Sequence, residues 1–120
     1  MKLDLDPHKL RHPIQLKLPY VQIGQTIWKK SCWLNPSSTP QPWPEADQPF
    51  SQTAISPLLS SQPQTIIIGS EPVPFPPHQW PKAHLHAQKI GFDWMNLAAA
   101  CRTYTLLVSE GRNVTLGLII

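Results

Sequence analysis

Thr65-Ile66-Ile67-Ile68-Gly69 is the stretch whose reading decides the fold. Four β-branched residues in a row are stiff at χ1 and favour extended backbone. No polar position alternates with them, so the strand needs cover on both faces, as an inner strand of a parallel sheet does. Reading outward toward the C-terminus, Pro72 to Pro77 is extended and Pro77 to Lys89 reads as a helix, with Pro81 near its start. Ile90 to Met95 then reads as a second inner strand, reached by a right-handed crossover. Asn96 is placed to cap a helix over Leu97 to Glu110. Leu97, Cys101, Tyr104 and Val108 form its apolar stripe, with Ala100 and Leu107 beside them. Gly111 suits the position just past the helix end. The chain closes in a strand whose Val114, Leu116, Leu118 and Ile120 alternate onto one face.

Upstream of the isoleucine run the signals are shorter. Residues 1–13 read as a loose arm, and residues 14–120 as a single domain. Ile14 to Leu18 alternates like a strand. Tyr20 to Ile23 and Thr26 to Trp33 flank Gly24-Gln25, and a glycine first in a two-residue loop suits a tight hairpin. Asn35 to Pro49 is a loop rich in proline and serine, with Trp43 available to pair at an edge. Ile55, Leu58 and Leu59 lie at helical spacing in Ser51 to Ser61, and Pro57 limits that helix to a turn or two. Strand, helix, strand, helix, strand is α/β layering. The expected architecture is an α/β fold of three layers: a mixed central sheet, flanking helices and an N-terminal β-hairpin.

Composition agrees with one folded domain. The chain has 120 residues, 41% of them hydrophobic and 14% charged, too apolar and too weakly charged for a disordered chain. Its 15 prolines all lie between Pro7 and Pro81, so the irregular part is in front and the regular part behind. The net charge is +3, and no run of five like charges marks a nucleic-acid tract. No apolar run approaches the roughly 20 residues that cross a bilayer. The opening MKLDLDPHKL is charged throughout, unlike a secretory leader. A cytoplasmic location with reduced Cys32 and Cys101 is therefore expected.

Several segments occur in a recognisable order: Thr65 to Gly69, Phe75-Pro76-Pro77, Gly91 to Met95, Ala98-Ala99-Ala100-Cys101-Arg102-Thr103-Tyr104 and Glu110-Gly111-Arg112. Over roughly residues 14–120 the chain resembles a widespread domain family of unknown function that includes the mitochondrial complex I assembly factor 3. The resemblance implies a three-layer α/β fold. It also implies a role in assembling a respiratory complex, with respiratory-complex or inner-membrane proteins as partners and a position peripheral to the inner membrane. No enzymatic activity follows from it. The chain departs from the family's pattern in three places. Gly69-Ser70-Glu71 replaces Gly-Thr-Gly, Asn96-Leu97 replaces Asp-Thr, and Thr105 replaces the Asn after Arg-Thr-Tyr.

The candidate binding surface comprises Gly69, Ser70, Glu71, Phe75, Arg102 and Thr103. Ligands of open α/β sheets gather at the carboxyl ends of parallel strands, and a helix start there offers N–H groups to an anion. Arg102 lies off the apolar stripe, where it can grip a carboxylate. The plainer reading is that Gly69 serves tight packing and Arg102 pairs with Asp93 or Glu71. His78, His84 and His86 suggest a metal, but residues two apart on a helix point apart, and no carboxylate or thiol completes a site. Cys101 falls on the buried stripe and reads as packing, and Ser70 has no triad around it. No catalytic residue, metal or cofactor is expected. Two functions remain: a non-catalytic protein-binding domain acting as an assembly factor or chaperone, or a small-molecule or anion-binding domain using the cleft at Gly69–Glu71 and Arg102.

Overall fold

The isoleucine run is a strand at the heart of the molecule. The computed structural model describes residues 13–47, 52–73 and 84–120. The expectations about the arm, about Phe75 and about the front of the Pro77–Lys89 helix fall on residues outside these ranges. The strands, in chain order, are β1 (Ile14–Lys17), β2 (Tyr20–Ile23), β3 (Thr26–Trp28), β4 (Cys32–Leu34), β5 (Gln41–Pro42), β6 (Thr65–Gly69), β7 (Gly91–Met95) and β8 (Val114–Leu118). The helices are α1 (Gln52–Ile55), α2 (described over 84–87) and α3 (Leu97–Ser109), with 3-10 turns at Pro44–Asp47 and Ser56–Leu59.

Five strands form a mixed sheet in the order β5-β4-β8-β6-β7. β6 pairs in parallel with both β7 and β8, and β4 pairs antiparallel with β8 and β5. Ile67 points to one face, where α3 and the small sheet β1-β2-β3 supply Leu97, Tyr104, Val21 and Ile23. Ile66 and Ile68 point to the other, against Trp43, Ile55, Leu58 and Leu85 from the short helices and the loop before them. All three isoleucines are fully buried, each contributing roughly 1.5–3 kcal/mol. This is the expected three-layer α/β arrangement.

Some local expectations shift. The first three strands form a sheet of their own, with β2 turning into β3 through Gly24 at φ 60°. The expected strand Thr26–Trp33 is broken at 29–31: its first part stays in that small sheet and its last part crosses to the central one. β7 is an edge strand, because β8 inserts between β4 and β6. β8 is consequently buried on both faces along all five residues, not on one. Trp43 is 1% exposed and packs in the core. Its ring lies over Gly117, where a Cβ would approach within 2.7 Å, and its indole N–H donates to the Ala54 carbonyl at 2.9 Å.

Candidate functional site

β6, β7 and β8 all end on one side of the sheet, and the chain turns there into α3. Gly69 closes β6 under that helix. A Cβ on Gly69 would stand 2.7 Å from the Ala100 Cβ and 3.3 Å from Leu118 Cδ2. Glycine is thus required for the helix to settle this close to the sheet. The tight-packing role expected of Gly69 is what the structure shows.

Ser70 follows and is buried. Its N–H donates to the Met95 carbonyl at 3.1 Å, tying the end of β6 to the end of β7. Its hydroxyl accepts from Trp94 Nε1 at 2.7 Å and donates to the Pro72 carbonyl at 2.8 Å. The one hydroxyl proton is therefore committed. Glu71 is exposed, yet its Oε1 accepts from the Leu97 N–H at 3.3 Å. Asn96 caps the same helix, its Oδ1 accepting from the Ala99 N–H at 2.8 Å. Two first-turn donors of α3 are thus satisfied by the chain itself, and a carboxylate already meets the positive end of the helix dipole.

Thr103 is half-buried and donates to Met95 Sδ at 3.5 Å, which turns that flank of α3 toward β7. Arg102 is exposed on the outward flank. Among the described residues it forms no ion pair with Asp93 or Glu71, so the expected pairing is not made. Gly69, Ser70, Glu71 and Thr103 therefore gather at the β7–α3 junction. Arg102 stands outside that cluster, and Phe75 is outside the described residues. Beside Arg102 on the outward flank lies Leu106, 45% exposed, with Ala98 and Ala99 before it.

The titratable groups on the inner side of α3 are held neutral. Burial pushes the Cys101 thiol up to about 11, with Arg102 pulling it partly back. Burial, and then the neighbouring Cys101, push Cys32 up to about 12. Burial also raises the Tyr104 phenol. A thiol with so little thiolate is a poor nucleophile. Among the described residues no group of three His, Cys, Asp or Glu side chains is placed to hold a metal. His84 Nε2 lies 2.9 Å from the Gln88 amide nitrogen across one helical turn.

Two features escaped the sequence. Trp94 anchors Ser70, although nothing in the sequence links residues so far apart. A groove of about 420 Å³ opens at the same end of the sheet, lined by Lys30, Ser31, Pro42, Trp43, Asp47 and Ile120. The tryptophan between Pro42 and Pro44 was its only sequence signal.

A family model described as a protein of unknown function (DUF498/DUF598) matches residues 17–119. No curated protein matches. Among solved structures, the chain is similar to a Xanthomonas campestris protein determined by NMR, with a TM-score of 0.77 and 28% identity over 100% of this chain and 92% of that one. It is similar in fold to a Bordetella parapertussis protein solved by crystallography, with a TM-score of 0.76 and 23% identity over 92% of this chain and 96% of that one. A Bordetella pertussis protein described as a Mth938-like domain gives a TM-score of 0.76 and 21% identity over 99% of this chain and 92% of that one. Among the described residues, no helix is long and apolar enough to cross a membrane.

Proposed function

The chain belongs to the DUF498/DUF598 family of proteins of unknown function, and from that premise we propose that it acts without catalysis, as a protein-binding domain. The observation that carries this reading is where the polar groups of the junction go. The Ser70 hydroxyl, the Glu71 carboxylate and the Asn96 amide oxygen are each spent on the fold. A ligand site needs convergent polar groups left free. What faces outward instead is a helix flank carrying Arg102, Leu106 and two alanines. Arginine beside exposed apolar surface is a common composition for protein contacts.

The finer reading is that the partner is a respiratory-complex or inner-membrane protein, with the domain serving as an assembly factor or chaperone. It rests on the sequence resemblance over Thr65–Gly69, Gly91–Met95 and Ala98–Tyr104. The alternative, a small anion held at Gly69–Glu71 and Arg102, has less support. An anion there has to displace the Glu71 carboxylate from the Leu97 N–H.

A photo-crosslinking side chain at position 106, compared with one at Ile27 on β3, tests the reading in native cells. Ile27 is also exposed, at 52%, and lies on a different sheet. Discrete crosslinked products from position 106 that are missing from position 27 support the helix flank as the contact. No product from position 106, or the same products from both, overturns it.

A further inference from the structure

Two free thiols lie in one buried cluster of the core. In the register of the central sheet, Gly69 pairs with Leu118 and Leu118 with Cys32, and directly paired residues project to the same face. Ala100 packs on Gly69, so this row of three lies on the face that α3 covers. The rotation of α3 is set by Thr103, which reaches Met95 on β7. Successive residues turn by about 100° around a helix. Ala100 and Thr103 therefore mark the β7 flank, and Cys101, which turns the other way from Ala100, is on the flank nearer β8 and β4. Cys32 stands on β4, level with the end of β6 that the first turns of α3 cover. Both residues belong to the same buried cluster, at 0% and 8% exposure. Gly69, which carries no side chain, lets the helix settle against the sheet on this face, and a disulfide forms between cysteines whose Cα atoms come within roughly 4.4–6.8 Å.

We propose that Cys32 and Cys101 are an oxidation site, joined by an intramolecular disulfide that ties β4 to α3 when the protein meets a peroxide. Cys101 reacts first, because it is the more exposed of the two and has Arg102 beside its thiolate. Its sulfur attacks one peroxide oxygen, the O–O bond breaks, and a sulfenic acid and water are formed. The Cys32 sulfur then attacks the Cys101 sulfur. The S–O bond breaks, the second water leaves, and the disulfide closes. Hydrogen peroxide takes both electrons and is fully reduced to water. Burial makes the first step slow, so the site records sustained exposure rather than a brief pulse.

The test uses the whole chain with both cysteines intact. After treatment with hydrogen peroxide, the protein is unfolded in an alkylating agent and its mass is read, followed by peptide mapping. The expected product is a monomer lacking two hydrogens, without alkyl groups, containing a peptide that links residues 32 and 101. Thiol reductant should restore both alkylation sites, and the oxidised form should melt higher than the reduced one. In Cys32→Ser, a sulfenic-acid trap should label Cys101. Alkylation of both cysteines after oxidation, a disulfide-linked dimer, or sulfinic acid at Cys101 in the intact chain overturns the proposal.

Discussion

The Glu71 carboxylate accepts from the Leu97 N–H at 3.3 Å, so this residue just past β6 serves as a built-in anion at the start of α3. Its neighbour Asn96 supplies the side-chain cap at 2.8 Å. Asn96→Ala is expected to lower stability by about 1 kcal/mol, and Asn96→Asp to restore it. Glu71→Gln is expected to lower the thermal midpoint at low salt, with the difference shrinking as salt screens the helix dipole. Thermal melts at two ionic strengths check both.

Gly69 and Ala100 are a matched pair. Gly69→Ala forces a methyl to within 2.7 Å of the Ala100 Cβ and is expected to cost roughly 1–3 kcal/mol. Removing the opposing methyl in Gly69→Ala/Ala100→Gly should recover part of that loss, beyond the helix-propensity cost of the new glycine. A double-mutant cycle from denaturant unfolding measures the coupling.

Ser70 holds β6, β7 and Pro72 together through one hydroxyl. Ser70→Ala removes two hydrogen bonds, each worth about 1 kcal/mol. Unfolding midpoints should fall, and Trp94 fluorescence should change while the fold is retained. An unchanged emission spectrum would count against the Trp94 contact.

Stability should be lost in the alkaline range. Cys32 and Cys101 have thiols raised from 9.0 to about 12 and about 11, so the folded state keeps protons that the unfolded state releases. Their contribution is fully present below pH 9. It is lost as pH rises from there through the folded values, because the unfolded chain then binds fewer protons. Tyr104, raised by burial, acts in the same direction. Thermal midpoints should be flat up to pH 9 and fall above it, with a shallower fall in Cys101→Ala.

Much of the back half was legible because local pattern and tertiary demand agree there. Ile66, Ile67 and Ile68 announce burial on both faces, and Asn96 and Gly111 mark the two ends of α3. What escaped depends on pairings distant in sequence. β8 alternates as Val-Thr-Leu-Gly-Leu, a half-exposed pattern, but it enters the sheet between β4 and β6. Thr115 is then covered, with its hydroxyl 3.4 Å from Ser61 Oγ, and Gly117 lies under the Trp43 ring. That same insertion leaves β7 at the edge. Trp43 itself sits in a proline-rich loop, where the sequence suggests pairing at an edge, and only the fold shows its ring reaching back to Ala54. At the candidate site the residue types were readable but their commitments were not. No local signal says that Ser70 is spent on Trp94 or that Glu71 serves Leu97.

The most direct test of the proposed function is a comparative capture. Tagged full-length protein and its Arg102→Ala variant are recovered from gently solubilised native cells and the bound proteins quantified by mass spectrometry, with melts confirming that the exposed substitution leaves stability intact. The account predicts a defined set of proteins on the parent chain, including respiratory-complex or inner-membrane components, that is depleted in the variant. Equal recovery on both chains, or nothing above background on either, would contradict it.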